Sequence, residues 1–156
     1  MKLVVVAVGQ KMPRWVDEAF AEYAKRMPPT TMLELVAVRP ERRVEGRTVE
    51  QMLGLEAGRI AAAVPERAKT VALDERGREF TSAAFARWMG RRIEERIDTA
   101  FLIGGPDGLA APLKDKAETV MRLSAMTLPH GLARVLLAEQ IYRAMSIIQG
   151  HPYHRE

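Results

Sequence analysis

Hydrophobic positions along the chain alternate between short runs rich in β-branched residues and longer stretches with helical spacing. The run at 3–8 is apolar at every position, which is typical of a strand covered on both faces of a parallel sheet. Four further runs predict strands at 32–38, 70–73, 100–103 and 120–126. Between them, breaker residues and apolar stripes predict helices at 13–27, from Thr48 to about 64, from Thr81 or Ser82 to about 97, at 112–119 and at 131–148. This order predicts one α/β domain with a mostly parallel sheet and helices on both faces.

Two breaker-marked segments late in the chain follow predicted strands, and ligands bind at the carboxyl ends of such strands. The segment 104–108, Gly-Gly-Pro-Asp-Gly, fits neither a P-loop nor a dinucleotide fingerprint. It is either a turn that needs glycine or a place where a ligand meets bare backbone. At 123–130 an apolar run passes through Ser124 and Thr127 into Pro129 and His130. Either main-chain groups there bind a flat heterocycle, or a buried strand simply enters a helix. We expect His130 to cap or pack the helix.

Composition narrows the function classes. The chain has 156 residues, with 24 basic and 20 acidic side chains for a net charge of +4. The absence of cysteine excludes disulfides, cysteine metal sites and a thiol nucleophile, and three histidines give little support to a metal cage. No apolar run reaches the ~18–20 residues of a membrane span, and the first strand lacks a signal-peptide cleavage site after it. We therefore expect a cytoplasmic protein without membrane or metal. The charged segment 39–47 is predicted to be a solvated connection.

The last helix and the tail carry more information. The helix is apolar on two sides, so it is either buried in the core or also covers a partner subunit, and dimerisation is favoured. Glu139 and Arg143 are spaced for an ion pair, which we expect to be solvated. Tyr153, His154 and Arg155 combine an aromatic ring, an imidazole and a guanidinium, a set suited to a base, a proton and a phosphate of RNA. A purely structural tail is an equal alternative.

In order and spacing, several segments together resemble the RlmH family of SPOUT-class rRNA methyltransferases, which use S-adenosylmethionine. The resemblance covers essentially the whole chain. It rests on Lys2-Leu-x-x-x-Ala-Val-Gly9, Ile103-Gly-Gly-x-x-Gly108, Leu123-Ser-x-Met-Thr-x-Pro-His130, Arg134 with Glu139-Gln-x-Tyr-Arg-Ala144, and Pro152-Tyr-His154. The segment 39–47 has no distinctive match.

The resemblance implies a fold, a target and a site. The fold would be a single SPOUT domain over 1–156, with a cofactor-binding trefoil knot at roughly 70–156, working as a homodimer whose site lies at the subunit interface. The target would be N3 of pseudouridine 1915 in helix 69 of 23S rRNA in the 70S ribosome. S-adenosyl-L-methionine would be held by Leu73, Gly104, Leu123, Ser124, Ala125, Met126, Thr127 and Leu128, with the glycines admitting it by lacking side chains. His154 would accept the N3 proton, Tyr153 would contact the base, and Arg155 would bind phosphate or the imide anion.

Three alternatives remain. One is a SPOUT methyltransferase with another RNA target. Another is a non-catalytic ribosome-binding factor that has kept the fold. The third is a flavodoxin-like enzyme acting on a small molecule.

Overall fold

The computed structural model describes residues 1–155, and of Arg155 it describes the backbone alone. Within these residues five strands alternate with five α-helices, as the hydrophobic pattern predicts. The strands are β1 (Lys2–Val8), β2 (Met32–Val38), β3 (Lys69–Glu79), β4 (Thr99–Ile103) and β5 (Thr119–Arg122). The helices are α1 (Arg14–Ala24), α2 (Val49–Ala63), α3 (Ser82–Glu94), α4 (Ala111–Lys116) and α5 (His130–Ile148). A short 3-10 helix, Pro152–Arg155, follows α5.

The five strands form one sheet in the order β2-β1-β4-β3-β5, and every neighbouring pair is parallel. Val5 in the central β1 is in register with Leu35 of β2 on one side and Phe101 of β4 on the other. The parallel α/β fold is therefore confirmed. Because all strands point the same way, their carboxyl ends lie along one edge, where α/β sheets bind ligands.

Both faces of the sheet are covered by helices, which confirms that prediction. Alternate residues of β1 point to opposite faces. Leu3 and Val5 join a core built with α1, α3 and α5, whereas Val4 and Val6 join a core built with α2 and α4. All four side chains are at most 2% exposed, which explains why β1 is apolar at every position from Leu3 to Val8.

Local capping signals place two helix starts as predicted. Thr48 accepts a hydrogen bond from the Gln51 backbone N–H at 3.1 Å, and the Gln51 side chain accepts one from the Thr48 N–H at 2.9 Å. This reciprocal capping box satisfies two N–H groups that a helix start leaves unpaired. Thr81 caps α3 through a single bond, in which its hydroxyl accepts a hydrogen bond from the Ala84 N–H at 3.1 Å.

The predicted boundaries of five elements were wrong. Helix α1 ends at Ala24 rather than 27, α3 ends at Glu94 rather than at about 97, and α4 occupies only Ala111–Lys116. Strand β3 continues to Glu79, past an irregularity in its pairing with β5, and β5 ends at Arg122 rather than 126. Two local contacts explain these strand limits. Gly77 of β3 lies so close to β5 that a Cβ there would be 2.4 Å from the Met121 carbonyl carbon. Beyond β5, the Ser124 hydroxyl accepts a hydrogen bond from the Met126 N–H at 2.9 Å, forming a local turn.

The unity of the domain and the trefoil knot at roughly 70–156 stay predictions. In the part of the chain that the structure describes, no helix has the length and apolar character needed to cross a membrane. The same residues contain no group of three or more histidine, aspartate or glutamate side chains arranged to hold a metal ion.

Candidate functional site

A cavity of about 420 Å³ lies beyond the carboxyl ends of β4 and β5 and beside residues 73–76 of β3, where the pairing of β3 with β5 becomes irregular, and we call it the strand-end cavity. This volume is within the usual range of small-molecule sites. Its wall includes seven of the eight residues predicted to hold the cofactor: Leu73, Gly104, Leu123, Ser124, Met126, Thr127 and Leu128. Ala125 belongs to the same loop, is exposed, and does not line the cavity. Residues that are far apart in sequence are thus brought together by three adjacent strands.

The glycine turn after β4 forms one wall of this cavity. A Cβ at Gly104 would lie 2.3 Å from both the carbonyl carbon and the oxygen of Gly108, a distance that real Cβ atoms do not reach. The turn is closed by a 2.9 Å hydrogen bond from the Gly108 N–H to the Gly105 carbonyl, and Gly108 has a φ of +79°. Glycine at 104 is therefore required by the turn itself. That Gly104 also admits the cofactor by lacking a side chain stays a prediction.

The loop between β5 and α5 presents free main-chain groups to the cavity. For residues 124–128 the structure shows a single hydrogen bond, from the Met126 N–H to the Ser124 hydroxyl, within the described part of the chain. The other backbone N–H and C=O groups of this segment remain available to a ligand. The Met126 side chain is 78% exposed beside them. The arrangement can hydrogen-bond the edge of a heterocycle while apolar side chains cover its faces.

Charged residues of both signs complete the wall of the cavity, and none of them was predicted from the sequence as a site residue. Asp74 pairs with Lys114 of α4 at 3.4 Å, and Arg122 pairs with Glu79 of β3 at 2.7 Å. Asp107 in the glycine turn contacts Arg43 from the segment 39–47. The one available sequence signal was the position of Asp74 directly after an apolar strand core. The cavity therefore suits a ligand that carries both cationic and anionic groups on an apolar framework.

His130, the first residue of α5, lines the same cavity. The helix cap position belongs to Pro129 and makes no side-chain hydrogen bond, so His130 is not the cap. Burial, with Arg134 nearby, holds the pKa of His130 below its ordinary value. Its Nε2 is buried and has no hydrogen-bond partner among the described residues. His130 is thus a neutral imidazole facing the cavity at neutral pH.

Arg134 joins α5 to the end of β1. Its side chain is 1% exposed, and its Nη2 donates to the carbonyl oxygens of Val8 at 3.1 Å and Gly9 at 2.6 Å. Within residues 1–155 no carboxylate lies within ion-pair distance of it. Burial accordingly lowers the pKa of Arg134. This guanidinium fixes the β1 end against the start of α5, beside His130.

The tail folds back onto α5. The Tyr153 hydroxyl donates to Glu139 Oε1 at 2.9 Å, and its ring meets the Tyr142 ring edge to face at 4.7 Å. Arg143 pairs with the same Glu139 oxygen at 2.8 Å, with side chains only 23% and 13% exposed. The predicted ion pair exists, but the expectation that it is solvated was wrong, because the tail covers it. Burial and the Glu139 carboxylate raise the pKa of Tyr153 well above its ordinary value.

The predicted catalytic tail and the predicted cofactor residues do not meet within one chain. Glu139 follows His130 by nine residues, or about 14 Å along a helix. Neither Tyr153 nor His154 is among the residues that line the strand-end cavity. The Nδ1 of His154 is buried without a hydrogen-bond partner among the described residues. The side chain of Arg155, predicted to bind phosphate, lies outside the described residues.

Comparison with known proteins identifies the class to which this fold and cavity belong. The family model described as "Predicted SPOUT methyltransferase" matches residues 1–154, so the chain belongs to the SPOUT methyltransferases. It is 55% identical to the ribosomal RNA large subunit methyltransferase H of Laribacter hongkongensis, over 100% of both chains. It is 56% identical to the protein of the same name from Ralstonia nicotianae, over 99% of both chains. Within the SPOUT methyltransferases, the chain is thus a member of the RlmH family.

Among solved structures, the SpoU methyltransferase AviRb from Streptomyces viridochromogenes aligns with 96% of this chain. This chain spans 61% of that longer protein, at 16% identity and a TM-score of 0.49. The parallel α/β fold is established by the strand pairing described above, independently of that alignment.

SPOUT methyltransferases use S-adenosylmethionine as the methyl donor, and the strand-end cavity fits this molecule. The free backbone groups of 124–128 would suit an adenine edge, and Leu73 and Leu128 would supply apolar contacts. Asp74, Lys114 and Arg122 would supply the two signs of charge that the ammonium and carboxylate of the amino-acid moiety require. The residues that line the cavity therefore fit the methyl donor that the family uses.

Proposed function

We propose that this protein methylates large-subunit ribosomal RNA at N3 of a pseudouridine in the loop of helix 69, acting on the assembled ribosome. The observation that supports the proposal is the strand-end cavity, whose wall contains seven of the eight residues that the RlmH resemblance predicts to bind the methyl donor. The full-length identity to relatives named ribosomal RNA large subunit methyltransferase H supports the rRNA target. The choice of nucleotide follows from the RlmH resemblance. We place this activity in the cytoplasm.

The chemistry requires little from the protein beyond alignment and proton removal. When bound, S-adenosylmethionine supplies a methyl group already activated by its sulfonium. N3 of a uracil-type ring carries a weakly acidic proton and becomes a good nucleophile when that proton leaves. His154 accepts this proton, since an imidazole exchanges protons near neutral pH. The Tyr153 ring contacts the base, and Arg155 binds phosphate or the developing imide anion. The raised pKa of Tyr153 argues against a phenolate as the proton acceptor.

We further propose that the site is completed by the tail of a second copy in a homodimer. The tail of one chain is tied to its own α5 through Glu139, about 14 Å along the helix from the strand-end cavity. Leu132, Val135 and Leu136 on the second apolar side of α5 are only partly buried in one chain. A two-fold partner covering that side brings its own tail toward the cavity of its neighbour.

A mixing experiment tests this arrangement. Thr127→Trp fills the strand-end cavity at an exposed position, and His154→Ala removes the proton acceptor. Each variant alone should be inactive. After random re-association of a 1:1 mixture, half of the dimers are mixed, and each mixed dimer has one intact site if the tail acts in trans. About a quarter of wild-type activity should therefore return. A mixture as inactive as its components would show that the tail acts in cis.

The proposed activity is tested with ribosomes from a strain lacking this gene, incubated with S-adenosylmethionine labelled in the methyl group. Label should enter 23S rRNA of whole 70S particles, and mass spectrometry should locate it at N3 of a helix 69 pseudouridine. Label at another nucleotide would assign a different SPOUT target. Donor binding without transfer would indicate a non-catalytic factor. Failure to bind ribosomes at all would favour a small-molecule enzyme.

A further inference from the structure

A second and larger cavity, of about 880 Å³, lies next to the strand-end cavity. It opens beyond the carboxyl ends of β1 and β2, and we call it the arginine-rimmed cavity after Arg39, Arg42 and Arg43 in its wall. The two cavities share Gly105, Pro106, Asp107 and His130. They meet where the strand order changes direction between β1 and β4, a position at which α/β sheets form a binding crevice.

The segment 39–47 thus does more than connect two elements. Arg43 reaches across the crevice to contact Asp107 of the glycine turn. Glu41 binds Arg59 at 2.5 Å and Arg47 at 3.0 Å, and these arginines lower the pKa of the Glu41 carboxyl. The Glu41 N–H also donates to Glu56 of α2 at 2.9 Å. The segment is therefore held by specific contacts on both sides of the cavity.

Three cations on the rim form no ion pair with the described residues. Lys11, Arg39 and Arg42 are exposed, and within residues 1–155 none of them has a carboxylate within 4 Å, although the charge of Arg39 helps to lower the pKa of Glu41. The three carboxylates of the wall, in contrast, are engaged: Glu41 with two arginines, Asp107 with Arg43, and Glu56 with the Glu41 N–H. The residues that line the cavity carry four cations and three carboxylates. Because the carboxylates already have partners, the charges without an ion pair on this rim are positive.

The wall chemistry indicates what kind of group this cavity takes. The floor is apolar, with Met12, Met52 and Leu53, and among the described residues that line the wall there is no phenylalanine, tyrosine or tryptophan. The one ring is the half-buried imidazole of His130, so base stacking has little surface on which to form here. Flexible exposed guanidinium and ammonium groups instead bind phosphate oxygens, which position a nucleic acid without reading its sequence.

We propose that the arginine-rimmed cavity binds the phosphate backbone of the RNA strand adjoining the target nucleotide. This inference rests on the proposed function, and it adds a positioning site that the donor cavity and the tail do not supply. The strand crosses the shared wall at residues 105–107, with the target base at the mouth of the strand-end cavity, next to the methyl donor, and its neighbouring phosphates at Lys11, Arg39 and Arg42. Contacts with the target base then select the RNA sequence, and phosphate contacts at the rim set the position of the RNA strand on the protein.

The test compares two charge-matched double variants. Arg39→Gln with Arg42→Gln removes two rim charges, whereas Arg87→Gln with Arg91→Gln removes two exposed arginines of α3 that form no ion pair among the described residues. Binding of each protein to purified ribosomes and to a single-stranded oligoribonucleotide is measured between 50 and 200 mM salt, roughly the span over which phosphate contacts alter affinity. S-adenosylmethionine affinity is measured by calorimetry, as a control for folding of the donor cavity.

The rim variant should bind RNA about tenfold more weakly and should raise KM for ribosomes, with donor affinity unchanged. The slope of log affinity against log salt should fall by about 1.4, or roughly 0.7 for each phosphate contact to a single strand. The α3 variant should behave as wild type. Equal effects of the two double variants would overturn the inference. Loss of ribosome binding with full oligoribonucleotide binding would also overturn it, because the rim would then contact ribosomal protein. Because binding is read without turnover, this outcome is separable from failure of the methylation assay.

Discussion

The Tyr153 hydroxyl donates a 2.9 Å hydrogen bond to Glu139, and through it the tail is tied to the last helix of the same chain. The accepting oxygen also pairs with Arg143, whose guanidinium lies 5.1 Å from the centre of the Tyr153 ring. This cluster holds the Tyr153 ring against α5, and His154 follows it in the short 3-10 helix. The position of Tyr153 is therefore set by α5 of the same chain.

Tyr153→Phe should leave methyl transfer within a few-fold of wild type. The variant keeps the ring and removes only the hydroxyl, whose raised pKa means that no phenolate forms near neutral pH. Loss of the hydrogen bond to Glu139 should reduce the free energy of unfolding by about 1 kcal/mol, as for a typical buried hydrogen bond. Single-turnover rates from pH 6 to 9 and urea unfolding measure the two effects. A hundred-fold loss of rate would make the hydroxyl part of the chemistry.

His154→Ala should lower kcat by about 100-fold or more while leaving the Kd for S-adenosylmethionine unchanged, because a positioned general base contributes this much. Isothermal calorimetry with the donor and single-turnover methylation of ribosomes separate binding from chemistry. Tyr153→Phe is the matched control, since it alters the adjacent tail residue. A parallel fall in donor affinity and rate would contradict a role in proton removal.

Gly104→Ala should abolish donor binding and lower the free energy of unfolding by roughly 2–4 kcal/mol, in the range of severe backbone and packing disruptions. The new methyl group would lie 2.3 Å from Gly108 backbone atoms, so the turn that forms the cavity wall must open. Gly105→Ala is the control, because its Cβ would meet only the Val8 side chain, at 3.4 Å. Urea unfolding and donor calorimetry should rank the two variants in this order. If both substitutions have equal effects, the close approach of Gly104 and Gly108 does not determine stability or donor binding.

The stability of the protein should fall as the pH drops below about 6.5, the ordinary pKa of a histidine. The pKa of His130 is lowered in the folded protein, so between this ordinary value and the folded value only the unfolded chain binds the proton. Stability from the buried neutral imidazole is therefore complete above the unfolded pKa and is lost toward the folded pKa. Unfolding free energies at pH 7.5, 6.5 and 5.5 should show a steeper fall for wild type than for His130→Gln. If the unfolding free energies of the two proteins fall in parallel with pH, His130 is not the cause of the pH dependence.

The parts of the fold that follow from local chemistry are predictable from the sequence. Residues 3–8 of β1 are all apolar, and they are buried on both faces of the sheet. Thr48 begins a helix because its side chain and that of Gln51 satisfy each other's backbone groups. The residues of the strand-end cavity are predictable only through the resemblance, because their proximity depends on which strands lie side by side. The irregular end of β3 arises from contact between Gly77 and Met121, which no local pattern encodes.

The segment 39–47 shows most clearly what cannot be predicted from the sequence. By composition it is a polar connection, and its position is fixed by partners 15 to 64 residues away, such as Glu56 for Glu41 and Asp107 for Arg43. The sequence shows that its arginines are close together, but not that they line one cavity with Lys11 and the glycine turn. The same holds for the tail, because the hydrogen bond from Tyr153 to Glu139 joins two residues that have no local pattern in common.

The contact between Arg134 and Gly9 spans 125 residues and joins the first strand to the last helix. Contacts of such high sequence separation form late in folding, because most of the chain must be ordered before its two ends can meet. During synthesis, the crevice between the two cavities therefore cannot be completed until nearly the entire polypeptide has emerged. A chain that stops before α5 lacks His130, which lines both cavities, and lacks the helix that completes the core on one face of the sheet.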